Sequence, residues 1–281
     1  MTYETNKIYY GDCMTLAKNI PDNFVDLVVT SPPYADTVSY GKNVSIFSPD
    51  NYANWILPLF KESARFLKNS GSFILNINDK VVKGERSIYV FDLVCRIVRE
   101  TDLKLYDRYI WAKKSGLPQG SKKRLDDKLE YIFHFVKDPK SIATFVDPVR
   151  EPYAEISLKR MQTSVGVHDT VSEAGTTTTN LRKIQPNPKG KIPTTVFRFN
   201  TAGVLKGGAA GKHPAPFNPE LPTWFIKYLT EENNIVLDPF MGGGTVADVC
   251  KKLNRNYIGF ELNEAYKPLI EARLGIPHSA A

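Results

Sequence analysis

The sequence predicts an α/β protein: an open sheet with helices on both faces, interrupted by a small basic lobe. Three observations carry this. Short apolar runs rich in β-branched residues alternate with longer segments of helical spacing, the rhythm of βαβ units. The rhythm breaks in the middle of the chain and then returns. Two apolar runs end abruptly in turn-forming sequence, "TSPPY" at residues 30–34 and "DPFMGGGT" at 238–245, and open α/β sheets bind ligands at the carboxyl ends of their strands.

In chain order, "KIYYGD" reads as a short strand and "VDLVVT" (25–30) as a buried one. The second must stop at Pro32 and Pro33, because neither donates a ladder hydrogen bond and each fixes its own φ. "NYANWILPLFKESARFLKNSG" places Trp55, Leu59, Phe60, Ser63, Phe66 and Leu67 at helical spacing and closes on Gly71, the expected residue after the helix end. "SFILNIN" follows as a strand, "SIYVFDLVCRIVRET" as an amphipathic helix, and "LKLYDRYIWAK" and "KLEYIFHFVK" as strands of an antiparallel pair. From about residue 118, most clearly between Asp138 and Lys212, "TTTTN", "QPNPKGKIP" and "KGGAAGK" mark an irregular segment in which only "TTVFRFN" suggests a strand. The alternation then resumes with helix "LPTWFIKYLTEE", strand "NIVLDPF", helix "GTVADVCKKLN", strand "RNYIGFEL" and helix "NEAYKPLIEARLG". The expected organisation is two core halves, 1–137 and 206–281, flanking a lobe at 138–205.

A chain of 281 residues with 42% hydrophobic content can bury a large core. Cys13, Cys95 and Cys250 lack zinc spacing and read as reduced core thiols, so no metal is expected. Neither a basic-then-apolar leader nor a run of about 18 apolar residues occurs, which predicts a cytoplasmic protein with no membrane partner. The net charge of +7 is local: residues 118–212 hold 16 Lys+Arg against 9 Asp+Glu, and the rest holds 21 of each. A basic segment beside a neutral core is what phosphate-backbone binding needs, and a solvated surface with surplus lysines accounts for the charge equally well.

In "IVLDPFMGGGTVADVC" a strand ends at Asp238, Gly242 to Gly244 let backbone approach a ligand, and a helix starts at Thr245 with its free amides facing the turn. Glu261 closes the next strand 17 residues past Gly244, where a carboxylate can bind both hydroxyls of a ribose. Lacking Gly-x-Gly-x-x-Gly and a Walker lysine, the site suits a nucleoside with a small anion better than a pyrophosphate. The alternative is a tight turn with an exposed glutamate.

Together, "TSPPY" and "DPFMGGGT" resemble the signature motifs of the S-adenosylmethionine-dependent DNA amino-methyltransferases of bacterial restriction-modification systems, and their order resembles the β class. "YYGDCMTL", with Asp12, resembles the segment whose acid meets the cofactor adenine, and "HPAPFNPELPTWFIKYL" the segment that packs at the methionine end. "GSFILNIND" and "LEYIFHFVK" fit the remaining core strands; a third glycine in "MGGGT", where the family commonly has serine, departs from the pattern. The resemblance implies a Rossmann-like methyltransferase sheet with a target-recognition lobe at 138–205, acting on double-stranded DNA. It also implies S-adenosyl-L-methionine as cofactor, held by Asp12, Thr30, Pro216, Phe217, Asp238, Pro239, Phe240, Gly242, Gly244, Thr245 and Glu261. Phe240 reads equally as a cation–π wall for the sulfonium or as a core phenylalanine.

The catalytic residues implied are Ser31, Pro32, Pro33 and Tyr34. An exocyclic base amine is a poor nucleophile, because its lone pair is delocalised into the ring. Accepting both its N–H bonds on the Ser31 hydroxyl and the Pro32 carbonyl favours pyramidal nitrogen, while Tyr34 stacks on a base flipped out of the duplex. Serine before Pro-Pro-Tyr resembles the cytosine-N4 members, where adenine-N6 members usually carry aspartate or asparagine. Cytosine N4 is the expected target. Adenine N6, an RNA or protein substrate, and a non-catalytic DNA-binding regulator on the same fold are the alternatives. Lys122, Lys123, Arg124, Lys159, Arg160, Arg182, Lys183, Lys189 and Lys191 are candidate phosphate contacts. His134 reads as a core histidine, and His213 equally as a base or a structural residue. With no nuclease pattern, any restriction endonuclease partner would be a separate chain, and a monomer or weak homodimer is expected.

Overall fold

The computed structural model describes residues 3–35, 48–114, 123–163, 165–171, 177–183, 185–200 and 217–276, the backbone alone for 162–163, 165–171 and 177–183. The chain divides into a large unit, residues 1–144 with 195–281, and a small unit, residues 145–194. The large unit begins with β1 (Lys7–Tyr10), α1 (Cys13–Leu16), β2 (Val25–Thr30), α2 (Pro49–Phe66) and β3 (Leu67–Ile77). A small hairpin of β4 (Val81–Val82) and β5 (Glu85–Arg86), helix α3 (Tyr89–Glu100), and strands β6 (Lys104–Ala112) and β7 (Leu129–Val136) complete its first half. The small unit contributes α4 (Glu155–Thr163) and an antiparallel hairpin, β8 (Val165–Val171) with β9 (Thr177–Lys183). The large unit resumes with β10 (Val196–Phe197), α5 (Glu220–Leu229), β11 (Ile235–Asp238), α6 (Thr245–Lys252), β12 (Asn256–Glu261) and α7 (Lys267–Leu274).

Eight strands form one mixed sheet in the order β1-β12-β11-β2-β3-β7-β6-β10. The first five neighbours are parallel, β7 runs antiparallel between β3 and β6, and β10 lies parallel to β6. Alternate side chains of each strand enter different cores, because successive Cβ atoms point to opposite faces. In β2, Val28 joins the core under α1, α2 and α3, while Leu27 and Val29 join the one under α5, α6 and α7. Buried on both sides, the strand reads as a continuous apolar run. Helix α3 shows the complementary logic: Tyr89, Val90, Leu93, Val94 and Ile97 recur at helical spacing on its buried face.

Three expectations need correction. The middle segment is not irregular with a single strand: it forms α4 and the β8–β9 hairpin, and residues 177–180 of "TTTTN" lie in β9, where β-branched threonines suit an extended backbone. Gly71 does not follow a helix end; α2 stops at Phe66, and Gly71 lies inside β3. A Cβ on it would sit 3.0 Å from the carbonyl oxygens of Asp26 and Lys68, so glycine lets β3 approach β2 where their register is irregular. Cys13 and Cys250 are buried, but Cys95 is exposed, since it occupies the outer face of α3. His134 is a core residue: Nε2 lies 2.9 Å from Ser72 Oγ, and burial pushes its pKa down to about 3. Among the described residues, no helix is long and apolar enough to cross a membrane.

In the small unit, Glu151 and Lys191 form an isolated antiparallel bridge. Gly190 sits beside it with φ 104°, and a Cβ there would fall 2.3 Å from Glu151 O. Only glycine fits.

The strand order reverses between β11 and β2. From β11 the chain passes through α6 to β12 on one side; from β2 it passes through α2 to β3 on the other. At this switch point Thr30 Oγ1 donates to Asp238 Oδ1 at 2.7 Å, with both residues buried. Burial pushes the Asp238 carboxyl up to about 7, against the bonds from the Thr30 hydroxyl and Phe240 amide. The folded protein therefore holds a proton there that the unfolded chain, with an ordinary aspartate, releases near pH 4. The resulting stability is full below about pH 4 and lost as pH rises to about 7, on the order of a few kcal/mol. Asp238→Asn keeps an Oδ1 acceptor and removes the titration, so the fall in melting temperature of the ligand-free protein from pH 5 to pH 8 should shrink by several degrees. An unaltered pH dependence would mean that Asp238 ionises as an ordinary surface carboxylate.

Candidate active site

Strand β2 carries the chain to the carboxyl edge of the sheet, and Ser31-Pro32-Pro33-Tyr34 continues there without regular structure. The Tyr52 hydroxyl, from α2, donates to Pro33 O at 2.8 Å and clamps this turn. Tyr34 packs against the α1–α3 core, and its hydroxyl enters a polar cluster. It donates to Glu130 Oε2 at 2.6 Å, accepts from Asn76 Nδ2 at 2.8 Å, and lies 3.2 Å from Ser31 Oγ. Asn76 Nδ2 also donates to Glu130 Oε2 at 2.7 Å and approaches Ser31 Oγ at 3.3 Å. Lys113 Nζ holds the other carboxylate oxygen, Glu130 Oε1, at 2.6 Å. Burial, reinforced by the Glu130 charge, keeps the Tyr34 phenol well above its usual pKa, so it stays a neutral donor.

The glycine-rich turn begins where Asp238 Oδ1 accepts from the Phe240 amide at 3.0 Å. Gly242 and Gly244 have φ of 54° and 78°, left-handed values that favour glycine. A Cβ on Gly244 would also press on Ile270 Cγ2 at 3.3 Å. Glu261 is buried, contrary to the exposed glutamate of the alternative reading. Its Oε2 accepts from the Gly242 amide and its Oε1 from the Asn263 amide, each at 2.7 Å. Burial pushes its pKa up and these amides oppose the rise. Beside it the Gly11 amide donates to Glu261 O at 2.8 Å, which brings Asp12 to the same edge, where its carboxylate caps α1 by accepting from Met14 N at 3.2 Å. The half-buried Phe240 ring rests 5.8 Å from Trp55, and Trp55 rests 5.3 Å from Tyr52, so an aromatic chain joins the two motifs. A buried acid, a close-approach turn at the start of α6 and an aromatic wall suit a nucleoside carrying a positive centre.

Of the other expected cofactor residues, Thr30 spends its hydroxyl on Asp238, and Thr245 accepts from Arg273 of α7. Pro239 follows Asp238 in the turn, Phe217 is half-buried on the α5–α7 core, and Pro216 lies outside the described residues. Lys122 and His213 also lie outside them. Lys123 and Arg124 are exposed in the large unit, with Arg124 donating to Gly84 O. Lys159 and Arg160 are exposed on α4, and Arg182 and Lys183 belong to β9. Lys189 and Lys191 pair with Asp147 and Glu151, each at 2.6 Å. Exposed pairs of this kind are weak and exchangeable, so they do not bar a phosphate.

Sequence reading missed Tyr52, Trp55, Asn76, Lys113 and Glu130. Two signals were available. Asn76 is an amide inside the apolar run "FILNI", and Glu130 is the acid inside "LEYIFHFV". A polar group in a buried strand must find partners, or its burial is costly.

The N6/N4 methyltransferase family, described as DNA methylase, matches residues 25–272. The type II methyltransferase M.BglII of Bacillus subtilis is 31% identical over 266 residues, covering 93% of this chain and 66% of that protein. The type II methyltransferase M.PvuII of Proteus hauseri is 28% identical over 285 residues, covering 94% and 82%. This chain thus spans about two thirds of M.BglII and more of M.PvuII. Among solved structures, PvuII DNA methyltransferase (cytosine-N4-specific) aligns with a TM-score of 0.73 at 24% identity, over 100% of this chain and 89% of its own. The complex of M1.HpyAVI with SAM gives 0.59 at 20%, over 95% and 98%. At these identities the structures share a fold. With "TSPPY" and "DPFMGGGT" meeting at one sheet edge and the family match running from Val25 to Ala272, the chain belongs to the N6/N4 DNA methylases, the S-adenosylmethionine-dependent amino-methyltransferases of restriction-modification systems, in β-class motif order.

Proposed function

We propose that the protein transfers a methyl group from S-adenosylmethionine to the N4 amine of a cytosine flipped out of duplex DNA at a specific sequence. The observation that carries this reading is the seating of Ser31: it follows Thr30, whose hydroxyl bonds Asp238 at the start of the glycine-rich turn, and its own hydroxyl joins a network with Tyr34 and Glu130. PvuII methyltransferase, described as cytosine-N4-specific, shares this architecture and supports the choice of base.

Asp12 and Glu261 hold the nucleoside part of the cofactor, and Phe240 with the Gly242–Gly244 turn borders its charged centre. Bound there, S-adenosylmethionine supplies an activated methyl group on sulfur. Ser31 Oγ and the Pro32 carbonyl accept the two N–H bonds of the target amine, localise its lone pair and stabilise the positive charge that develops on nitrogen. Tyr34 stacks on the extruded base. The clamp of Tyr52 on Pro33 O holds the acceptors still, and in a reaction between two bound partners positioning supplies most of the acceleration. The small unit, within the 138–205 region, reads the target sequence. Lys122, Lys123, Arg124, Lys159, Arg160, Arg182 and Lys183 set the register of the enzyme on the phosphates. The enzyme works in the cytoplasm as a monomer or weak homodimer, and any cognate endonuclease is a separate chain.

Incubation with tritiated-methyl S-adenosylmethionine and mixed-sequence duplex DNA, followed by digestion to nucleosides, should place the label in N4-methylcytosine. Label in N6-methyladenine would overturn the choice of base and keep the reaction class; label on neither would favour a non-catalytic DNA-binding protein. Ser31→Ala should lower single-turnover methylation by about 10²-fold or more while cofactor and DNA affinities hold. A wild-type rate in that variant would remove Ser31 from the chemistry. Charge reversal at Lys122 and Lys123 should weaken DNA binding and reduce the salt slope by about 2. An unchanged slope would put the phosphate track elsewhere.

A further inference from the structure

We infer that Glu130 is the terminal acceptor for the proton released on methylation, reached through a one-way relay from Ser31 Oγ to Tyr34 Oη to Glu130 Oε2. The inference rests on the proposed methyl transfer and deepens it.

The direction of the relay follows from counting donors and acceptors. Asn76 Nδ2 carries hydrogens and accepts nothing, so Glu130 Oε2 at 2.7 Å and Tyr34 Oη at 2.8 Å must both accept from it. The Tyr34 hydrogen then has Glu130 Oε2 as its partner, at 2.6 Å. With that hydrogen committed, Tyr34 Oη can only accept from Ser31 Oγ, 3.2 Å away, so the Ser31 hydrogen points into the protein. Ser31 Oγ also accepts from Asn76 Nδ2 at 3.3 Å, and its remaining lone pair is left to accept from a substrate amine. Among the described residues Glu130 meets donors, Lys113 on Oε1 and Tyr34 and Asn76 on Oε2, so both of its oxygens act as acceptors. Among the described residues, the titratable groups facing the relay include Lys113 beyond β6, Tyr34 in the turn and, from α3, Tyr89.

The relay resolves a chemical difficulty. Methylation of a neutral amine leaves a positively charged nitrogen that must lose one proton, and a serine hydroxyl cannot retain it. Here the substrate N–H bond breaks as an O–H bond forms on Ser31; the original Ser31 hydrogen passes to Tyr34, and the Tyr34 hydrogen passes to Glu130. The base ends as a neutral methylamine, Ser31 and Tyr34 are unchanged, and Glu130 becomes a carboxylic acid. Lys113, left without its counter-charge, then favours loss of that proton to water. Before transfer, the same polarity makes Ser31 Oγ a stronger acceptor than an isolated hydroxyl, because hydrogen bonds in a chain polarise one another. Tyr34 and Glu130 act through Ser31 in this step and are positioning residues for it.

The test is single-turnover methylation of a duplex carrying the target, from pH 5.5 to 9, for the wild type, Glu130→Gln and Tyr34→Phe, with cofactor and DNA affinities measured separately. Both variants should be slower by about 10²-fold near neutrality and should recover as pH rises, when hydroxide can take the proton. Formate should partly rescue Glu130→Ala. A wild-type rate and profile in Glu130→Gln and Tyr34→Phe would overturn the relay, as would a loss of the same factor at every pH, the mark of a structural defect. Should Glu130→Gln misfold with Lys113 unpaired, Tyr34→Phe, which keeps the ring, decides alone. Failure of the wild type to label any DNA nucleoside would overturn the methyl-transfer reading and the relay with it; wild-type labelling with unaffected variants overturns the relay alone.

Discussion

One buried hydrogen bond ties the molecule together. Thr30 and Asp238 are 208 residues apart in sequence, and each ends a parallel strand at the point where the strand order reverses. Parallel strands leave this point in opposite directions, which opens a crevice at their carboxyl ends. The bond sets the spacing of the crevice walls, the Ser31–Tyr34 turn on one side and the Gly242–Gly244 turn on the other. Because the pair is sealed from water, it also ties stability to the protonation of Asp238.

Around that point the fold separates two kinds of packing. Apolar side chains fill both faces of the sheet and hold α1, α2 and α3 on one side and α5, α6 and α7 on the other. At the carboxyl edge the rule of an apolar interior is broken by Asn76, Glu130 and Lys113, which come from or adjoin the neighbouring strands β3, β7 and β6. A carboxylate, an ammonium and an amide in such a place are costly unless mutually satisfied. They are nearly so: among the described residues Asn76 Oδ1 has no protein partner, while the amide nitrogen is committed to Glu130 and Tyr34. Natural proteins tolerate such breaches where the chemistry requires them.

Local rules carried much of the architecture. Val25 to Thr30, Ile235 to Asp238 and Asn256 to Glu261 read as buried strands because their apolar runs are short, β-branched and stopped by proline, glycine or acid. The same rules failed at Gly71, where a backbone contact with β2 outweighs the usual preference of glycine for helix ends, and at Cys95, where the phase of α3 turns a thiol outward. Neither outcome is local. Each depends on what the segment packs against.

By itself the sequence determined the class of the sheet, the two turns that end its central strands, and the family, because proline and glycine dictate backbone conformation wherever they stand. Only the tertiary structure decided that Glu130 and Lys113 complete a network with Tyr34, Asn76 and Ser31, and that Trp55 stands between Tyr52 and Phe240. Those partners are set by the register of β3, β7 and β6 and by how α2 lies on the sheet. Register and docking come from the summed packing of two cores, and no single stretch of sequence contains them.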